Sequence, residues 1–340
     1  MPDPVLSVVL PTYNCERYIA ECLESILSQT FRDFEVLVID DCSTDSTVAI
    51  VEGFGDCRIR LLQKPLHSGY TRSLNLGIDC ARGEFLARID GDDICLPTRF
   101  EEQIDYLRSN PDVALCGTAC ISNGEKVLRQ PETHEAIRVK IFFSSPFFHP
   151  TVMGKTSLFL DCRYDPDFEP AEDYELWSRI VLKYRTANLP NPLLAYRIHE
   201  GQVSIRRQAL QLSQSHRVRD LLFSQLCAGI FPPAIDKRIS LNSSSADRKT
   251  SFLTSLERLE VLTNANDTRD FLNKSLLALR ISYEKTDIVA QYLWQGEENI
   301  IFRMFDASRH VSLLTFLRAL KHLYRQMLTI CTRRLGSWSN

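Results

Sequence analysis

The chain has 340 residues, 44% of them hydrophobic and 24% charged, and a formal net charge of −3. That length suits one large or two modest domains, and the balance excludes collagen-like, disordered and disulfide-miniprotein classes together with a globally basic nucleic-acid binder. The 11 cysteines are odd in number and scattered with no CxxC pair, the N-terminus lacks a basic n-region, and no run approaches the roughly 18 apolar residues of a membrane span, so the expected compartment is the cytoplasm.

Val5–Leu10 is a short apolar, β-branched run, as expected of a strand buried on both faces. Ile19, Cys22, Leu23, Ile26 and Leu27 then recur at helical spacing, with Asn14 as the expected N-cap. Phe34–Ile39 reads as a strand, Ser43 to Val51 as the start of a helix, Arg58–Leu62 as a strand, Tyr70 to Ala81 as a helix and Glu84–Ile89 as a fourth strand. Pro97 suits the first turn of a helix carrying Phe100, Ile104 and Leu107, which leads into Val113–Cys116. This alternation predicts an α/β fold, a mostly parallel sheet with helices on both faces.

Beyond Asn123 the prolines at 131, 146, 150, 166 and 170 mark loops, and helical spacing returns from Val203 to Leu226. The expected organisation is an α/β domain over 1–205 and a mainly helical C-terminal region over 206–340, with a joint near 231–250. Within that region, Leu313, Leu317, Leu320, Tyr324, Met327, Leu328 and Cys331 share one helical face, flanked by Arg318, Lys321 and Arg325. The ordinary explanation is a helix packed on the domain. The sharper one is a basic amphipathic helix over 313–334, lying on an anionic membrane surface.

Ligands of an open parallel sheet bind beyond the carboxyl ends of its strands. Pro11-Thr12-Tyr13-Asn14 follows the first strand, Asp40-Asp41-Cys42-Ser43-Thr44-Asp45 the second and Asp90-Gly91-Asp92-Asp93 the fourth. Any one of these acids is explained by helix capping or a solvated loop; two clusters on one rim call for a cation. In extended backbone Asp90 and Asp92 project the same way, and hard carboxylate oxygens suit Mg²⁺ or Mn²⁺, which suits a diphosphate. No GxxxxGK[ST] or GxGxxG follows a strand, which disfavours a P-loop NTPase or a dehydrogenase.

These motifs, with Ala87-Arg88-Ile89-Asp90-Gly91-Asp92-Asp93-Ile94 running on through Pro97, Arg99 and Phe100, then Glu172-Asp173 and Tyr196-Arg197-Ile198-His199, resemble in order and spacing the family 2 glycosyltransferases. The resemblance covers roughly residues 5–205. It implies a GT-A fold, a nucleotide-sugar donor, a divalent metal, Mn²⁺ or Mg²⁺, and inversion at the anomeric carbon. By resemblance, Pro11 and Tyr13 would flank the donor base and Asp41 accept a hydrogen bond from it. Asp92 would be the main metal ligand, with His199 a further ligand of metal or diphosphate. Asp90 would lie nearer the ribose or sugar, and Arg88 would hold Asp90 or touch the donor. Asp173 would be the general base, with His149 and Glu172 lining the acceptor site.

The chemistry is coherent, because an alcohol is a poor nucleophile and a carboxylate must take its proton as the glycosidic bond forms. Glu172-Asp173 also suits a helix first turn, where acids favour the dipole, and both roles can hold together. Two departures stand out: His67-Ser68-Gly69 replaces the family's usual Asn-x-Gly, and Cys42 stands where a glycine usually follows the paired aspartates.

The expected function is transfer of a sugar, with a UDP-sugar favoured, to a hydroxyl of a glycan or lipid-linked acceptor in cell-surface polysaccharide synthesis, with no nucleic-acid partner. The enzyme would be cytoplasmic or peripheral on the inner face of the membrane. The alternatives are a sugar nucleotidyltransferase, which should carry a Gly-rich basic loop after the first strand, and a catalytically silent glycan-binding protein, which the presence of Asp92 and Asp173 disfavours.

Overall fold

The computed structural model describes residues 3–227, 248–269 and 272–294, with Val311, Ser312, Leu314, Thr315 and Arg318 beyond them. They fall into two compact units, Met1–Arg219 and Asp220–Asn340.

The first unit is built on a nine-stranded sheet of order β3-β2-β1-β4-β8-β6-β9-β5, with β7 beside β6. Strands β1 (Leu6–Thr12), β2 (Phe34–Asp40), β3 (Ile59–Gln63) and β4 (Phe85–Arg88) pair in parallel. Beyond β4 the sheet is mixed, a departure from the mostly parallel sheet expected. The three-residue strand β8 (Met153–Lys155) runs antiparallel between β4 and β6 (Val113–Ser122), β9 (Arg185–Tyr196) pairs parallel to β6, and β5 (Ile94–Cys95) antiparallel to β9. The hairpin strand β7 (Lys126–Leu128) completes it.

Strand parity decides what each face covers. Leu6, Val8 and Leu10 of β1 and Phe34, Val36 and Val38 of β2 join a core with Ile19, Cys22, Leu23 and Ile26 of α1 (Ile19–Leu27) and Phe100, Ile104 and Leu107 of α4 (Arg99–Ser109). On the other face, Val9 meets Gly77 of α3 (Tyr70–Cys80), where an added Cβ would come within 2.4 Å of the valine Cγ1. Leu74-Asn75-Leu76-Gly77 thus lets α3 approach the sheet backbone closely.

The helix start expected at Asn14 is displaced. α1 begins at Ile19 after Tyr18, with no side-chain cap, while Asn14 takes a left-handed φ of 49° and its Oδ1 accepts from the Thr44 N–H at 2.8 Å. Asn is one of the few residues that tolerate this conformation, and here it joins the first two strand-end loops. Likewise α2 (Thr47–Gly53) starts after the turn that Asp45 closes by accepting from the Thr47 N–H at 2.9 Å.

α5 (His134–Lys140), α6 (Thr156–Cys162), α7 (Glu172–Lys183) and α8 (Val203–Arg206) complete this unit, together with the start of α9 (Gln208–Cys227). In the second unit, α10 (Arg248–Arg269) buries Leu259, Leu262 and Ala265, and α11 (Lys274–Trp294) buries Leu277, Ile281 and Val289. Asn266 closes the connection, donating to the Leu272 carbonyl at 3.1 Å and accepting from its N–H at 2.7 Å. Among the described residues no helix is long and apolar enough to cross a membrane. The amphipathic face expected from Leu313 to Cys331, and most of the expected joint, lie outside the described residues.

Candidate active site

The carboxyl ends of β1, β2 and β4 supply the rim. Asp41 is buried, and both its oxygens are engaged. Oδ1 accepts from the Ser68 N–H at 2.9 Å and pairs with Lys64 Nζ at 2.6 Å; Oδ2 accepts from the Gly69 N–H at 2.9 Å and lies 3.0 Å from His67 Nδ1. Burial alone would raise its pKa, but Lys64 and the two amides outweigh it and hold the group below the usual carboxylate range. The His67-Ser68-Gly69 stretch is therefore held by Asp41, with Gly69 at a φ of 98°. The Tyr13 ring, about half exposed, leans on His67 with centroids 4.4 Å apart and an interplanar angle of 37°. Pro11 is buried in β1, and Cys42 adopts a φ of 63°. That is the left-handed region, which explains why glycine suits this position.

At the end of β4, ligand oxygens of Asp90, Asp92 and Asp93 lie within 4.8 Å of one another. Asp93 closes the turn, its N–H donating to the Asp90 carbonyl at 3.2 Å. Its Oδ1 accepts from the Arg197 N–H at 3.0 Å, and this tether brings His199 Nε2 to 2.8 Å from Asp92 Oδ2. Tyr18 backs the histidine ring at 4.7 Å, and Arg197 also pairs with Glu21 on α1. Asp92 and His199 thus meet although they are far apart in sequence.

These groups fit a hard divalent cation. The buried Asp93 Oδ2 has no protein partner, and burial, then the charges of Asp90 and Asp92, push the Asp93 carboxyl up to about 9. Such crowding is what a bound cation relieves. Asp92, Asp93 and His199 would hold it, with Asp90 alongside. Sequence reasoning placed Asp93 on the rim without giving it a role; its signal was the third acid of the Asp-Gly-Asp-Asp run.

Arg88, 3% exposed, donates Nη2 to Asp90 Oδ1, while its Nε and Nη1 are buried with no partner. Tyr70 Oη donates to the same Asp90 oxygen at 2.9 Å, and the Arg88 guanidinium carbon lies 5.4 Å from the Tyr70 ring centroid. Burial pushes Asp90 up to about 6, opposed by Arg88 and reinforced by Asp92. Arg99, fully buried, braces this strand end by donating to the Arg88 carbonyl at 2.8 Å.

The second half of the site sits on α7. Glu172 and Asp173 occupy its first turn, where free amides and the helix dipole favour negative charge. Burial still raises the Asp173 pKa, opposed by the Tyr174 amide and by Arg88. Burial and the Asp173 charge push Glu172 up to about 8, and its Oε2 has no partner. Beside them His149 Nε2 lies 2.8 Å from Tyr164 Oη, and Tyr164 is fixed by reciprocal bonds with Asn75 at 2.9 and 3.0 Å. Burial, then Arg88, drives the His149 pKa well down, so it is a neutral hydrogen-bonding group near pH 7. Its ring also packs against Tyr70 and Trp177 at 6.3 and 5.9 Å, and the buried Trp177 Nε1 has no partner. Tyr70, Tyr164 and Trp177 escaped sequence reasoning: Tyr70 and Trp177 lie on amphipathic helices, where an aromatic residue reads as core, and Tyr164 sits in the loop after α6 with no motif around it.

The acids at the strand ends and the acidic first turn of α7 are thus linked electrostatically through Arg88. The sequence model described as glycosyl transferase family 2 matches residues 7–163. The chain is similar to the amylovoran biosynthesis glycosyltransferase AmsE of Erwinia amylovora, at 34% identity over 213 residues, 60% of this chain and 80% of that protein. Among solved structures it resembles S. aureus TarS 1–349 in complex with UDP-GlcNAc, with a TM-score of 0.59 at 21% identity over 89% of this chain and 91% of that one. It also resembles the mannosyltransferase PcManGT from Pyrobaculum calidifontis in complex with GDP-Man and Mn²⁺, with a TM-score of 0.53 at 18% identity, over 95% and 88% of the two chains. The chain belongs to glycosyltransferase family 2, and its fold is GT-A.

Proposed function

We propose that the chain is a metal-dependent, inverting transferase that moves a sugar from a nucleotide diphosphate-sugar to a hydroxyl of a glycan or lipid-linked acceptor in cell-surface polysaccharide assembly. The observation that carries this reading is the convergence of two acidic sets around one buried guanidinium. The Asp90–Asp92–Asp93 cluster with His199 and the Asp173 carboxylate of α7 both feel the charge of Arg88, which holds down the proton affinity of Asp90 and of Asp173 alike. A uridine donor is favoured by the likeness to a structure that holds UDP-GlcNAc, and polysaccharide assembly by the likeness to AmsE.

Tyr13 and Pro11 would flank the base, with Tyr13 offering an exposed ring already steadied by His67. Asp41 has four protein partners on its two oxygens, so its part in base recognition is to shape the 67–69 loop, with any bond to the base added to that set. Asp90 would take a ribose or sugar hydroxyl. A bound Mn²⁺ or Mg²⁺, held by Asp92, Asp93 and His199, would supply charge neutralisation for the departing diphosphate.

On the acceptor side, Asp173 takes the proton of the attacking hydroxyl as the bond to the anomeric carbon forms and the bond to the diphosphate oxygen breaks. Attack opposite the leaving group inverts the centre. The raised proton affinity of Asp173 makes it a better base than an exposed aspartate, while Arg88 and the Tyr174 amide keep it ionisable. Neutral His149, fixed by Tyr164, and protonated Glu172 would hydrogen-bond the acceptor sugar.

The test is a screen of purified protein against common nucleotide sugars with Mn²⁺, following slow release of nucleoside diphosphate. One active donor, silenced by EDTA and by Asp92→Ala, is expected. Full turnover in chelator would overturn the metal-dependent reading.

A further inference from the structure

Asp90 has two oxygens, each able to accept two hydrogen bonds. The protein places both of its donors, Tyr70 Oη at 2.9 Å and Arg88 Nη2, on Oδ1. Among the described residues no protein donor reaches Oδ2. The carboxyl torsion of an aspartate is otherwise broad, so two donors on one oxygen set the plane of the group and the direction of the free one. Tyr70 is itself well held. It opens α3 directly after Gly69, whose N–H binds Asp41, and its ring lies 5.4 Å from the Arg88 guanidinium carbon and meets the His149 ring edge to face at 6.3 Å.

We propose that Tyr70 is a specificity-determining positioning residue: together with Arg88 it occupies one oxygen of Asp90 and commits the other to a single, directionally defined hydroxyl of the bound donor. This rests on the donor-site reading of Asp90 given above. The hydroxyl belongs to the ribose or to the transferred sugar, and both present the same chemistry to Oδ2. A site built to hydrogen-bond one hydroxyl rejects a molecule that lacks it, or points it elsewhere, because the waiting acceptor is left unpaired. Tyr70→Phe keeps the ring and its packing and removes only the donor, so Asp90 regains rotational freedom and the penalty for a misplaced hydroxyl falls.

The experiment compares the full chain with its Tyr70→Phe and Asp90→Asn variants in Mn²⁺. One arm measures kcat/KM for hydrolysis of UDP-glucose against UDP-galactose, and of UDP-N-acetylglucosamine against UDP-N-acetylgalactosamine. The other measures the Kd of UDP against 3′-deoxy-UDP. In Tyr70→Phe the preference in one arm should fall by about tenfold with the melting temperature unchanged, and in Asp90→Asn by at least as much. A fall in the epimer arm assigns the hydroxyl to the sugar, and a fall in the deoxy arm assigns it to the ribose. Preferences that fall in Asp90→Asn but persist in Tyr70→Phe overturn the role of Tyr70, leaving it a packing residue. Preferences unchanged in both variants overturn the donor-site reading of Asp90, and failure of UDP to bind overturns the uridine reading.

Discussion

Replacing Arg88 with methionine keeps a long apolar stem in β4 and deletes the cation that faces Asp90, Asp173 and Glu172. The guanidinium side chain is 3% exposed and that of Asp90 26% exposed, so solvent screens the lost pair only in part. Breaking a buried ion pair by removing one partner costs about 3–5 kcal/mol when the other charge has no escape. Here there is one, since Asp90 already titrates at about 6 and can take up a proton. The cost should therefore depend on pH, with a definite sign. A raised carboxyl pKa means that the folded state keeps a proton which the unfolded chain, titrating near 4, has released. Stability is then lost as pH rises from the unfolded pKa through the folded one. Arg88→Met raises the folded values further, so the variant's deficit should be small near about pH 5.5 and grow by about 1.4 kcal/mol per pH unit for each extra proton retained, towards the full 3–5 kcal/mol near about pH 7.5. Urea denaturation of both proteins in EDTA at those two pH values measures it. A deficit equal at both, or below about 1 kcal/mol at the higher, would refute the view that Arg88 is the charge on which these carboxylates depend.

Asp173→Asn keeps shape and removes basicity, so transfer should fall by about 10²–10⁴ while donor affinity persists in an equilibrium titration; normal turnover would assign the proton to another group. Cys42 has a φ of 63°, where non-glycine residues are strained by about 1–2 kcal/mol. Cys42→Gly should be at least as stable as the parent to urea and Cys42→Val less stable by about 1–2 kcal/mol; the reverse order would mean that the strand-end loop is not held left-handed. Gly77→Ala, with its methyl within 2.4 Å of Val9, should destabilise by about 1–3 kcal/mol, and Val9→Ala should partly rescue it. Additive losses would show that α3 does not pack there.

Strands β1 to β4 and their helices were legible because each strand is a short apolar run and each following helix switches to a period near four. β8 was not: Met153–Lys155 is too short to show a period, yet it turns the sheet from parallel to mixed. β9 was not assigned from the sequence, where Pro190 and Pro192 interrupt its apolar pattern. The exposed Pro190-Asn191 corner coincides with a register shift opposite Thr118 and Ala119, which lets prolines sit within a strand. At the site, Asp92 and His199 were readable as types of ligand, but their meeting depends on Asp93 catching the Arg197 amide, a contact with no local signature. Asn14 misled for a related reason, because its side chain satisfies a neighbouring loop instead of its own helix.

Glu169 gives the two halves of the catalytic unit a shared mechanical part. One of its oxygens accepts from the Thr71 N–H and hydroxyl at 3.1 and 2.9 Å, the other from Arg207 at 3.0 Å, and the residue lies just upstream of Glu172 and Asp173. The first turn of α3 and the segment leading into α7 are therefore clasped to one another. For anyone grafting a relative's acceptor half onto this donor half, the Thr71–Glu169–Arg207 contact is a matched fitting. A graft that keeps Thr71 but brings in a segment lacking the acid would leave the first turn of α3 without its acceptor and the start of α7 without its tie to α3. Transplanted acceptor specificity in this scaffold should therefore travel only with that carboxylate.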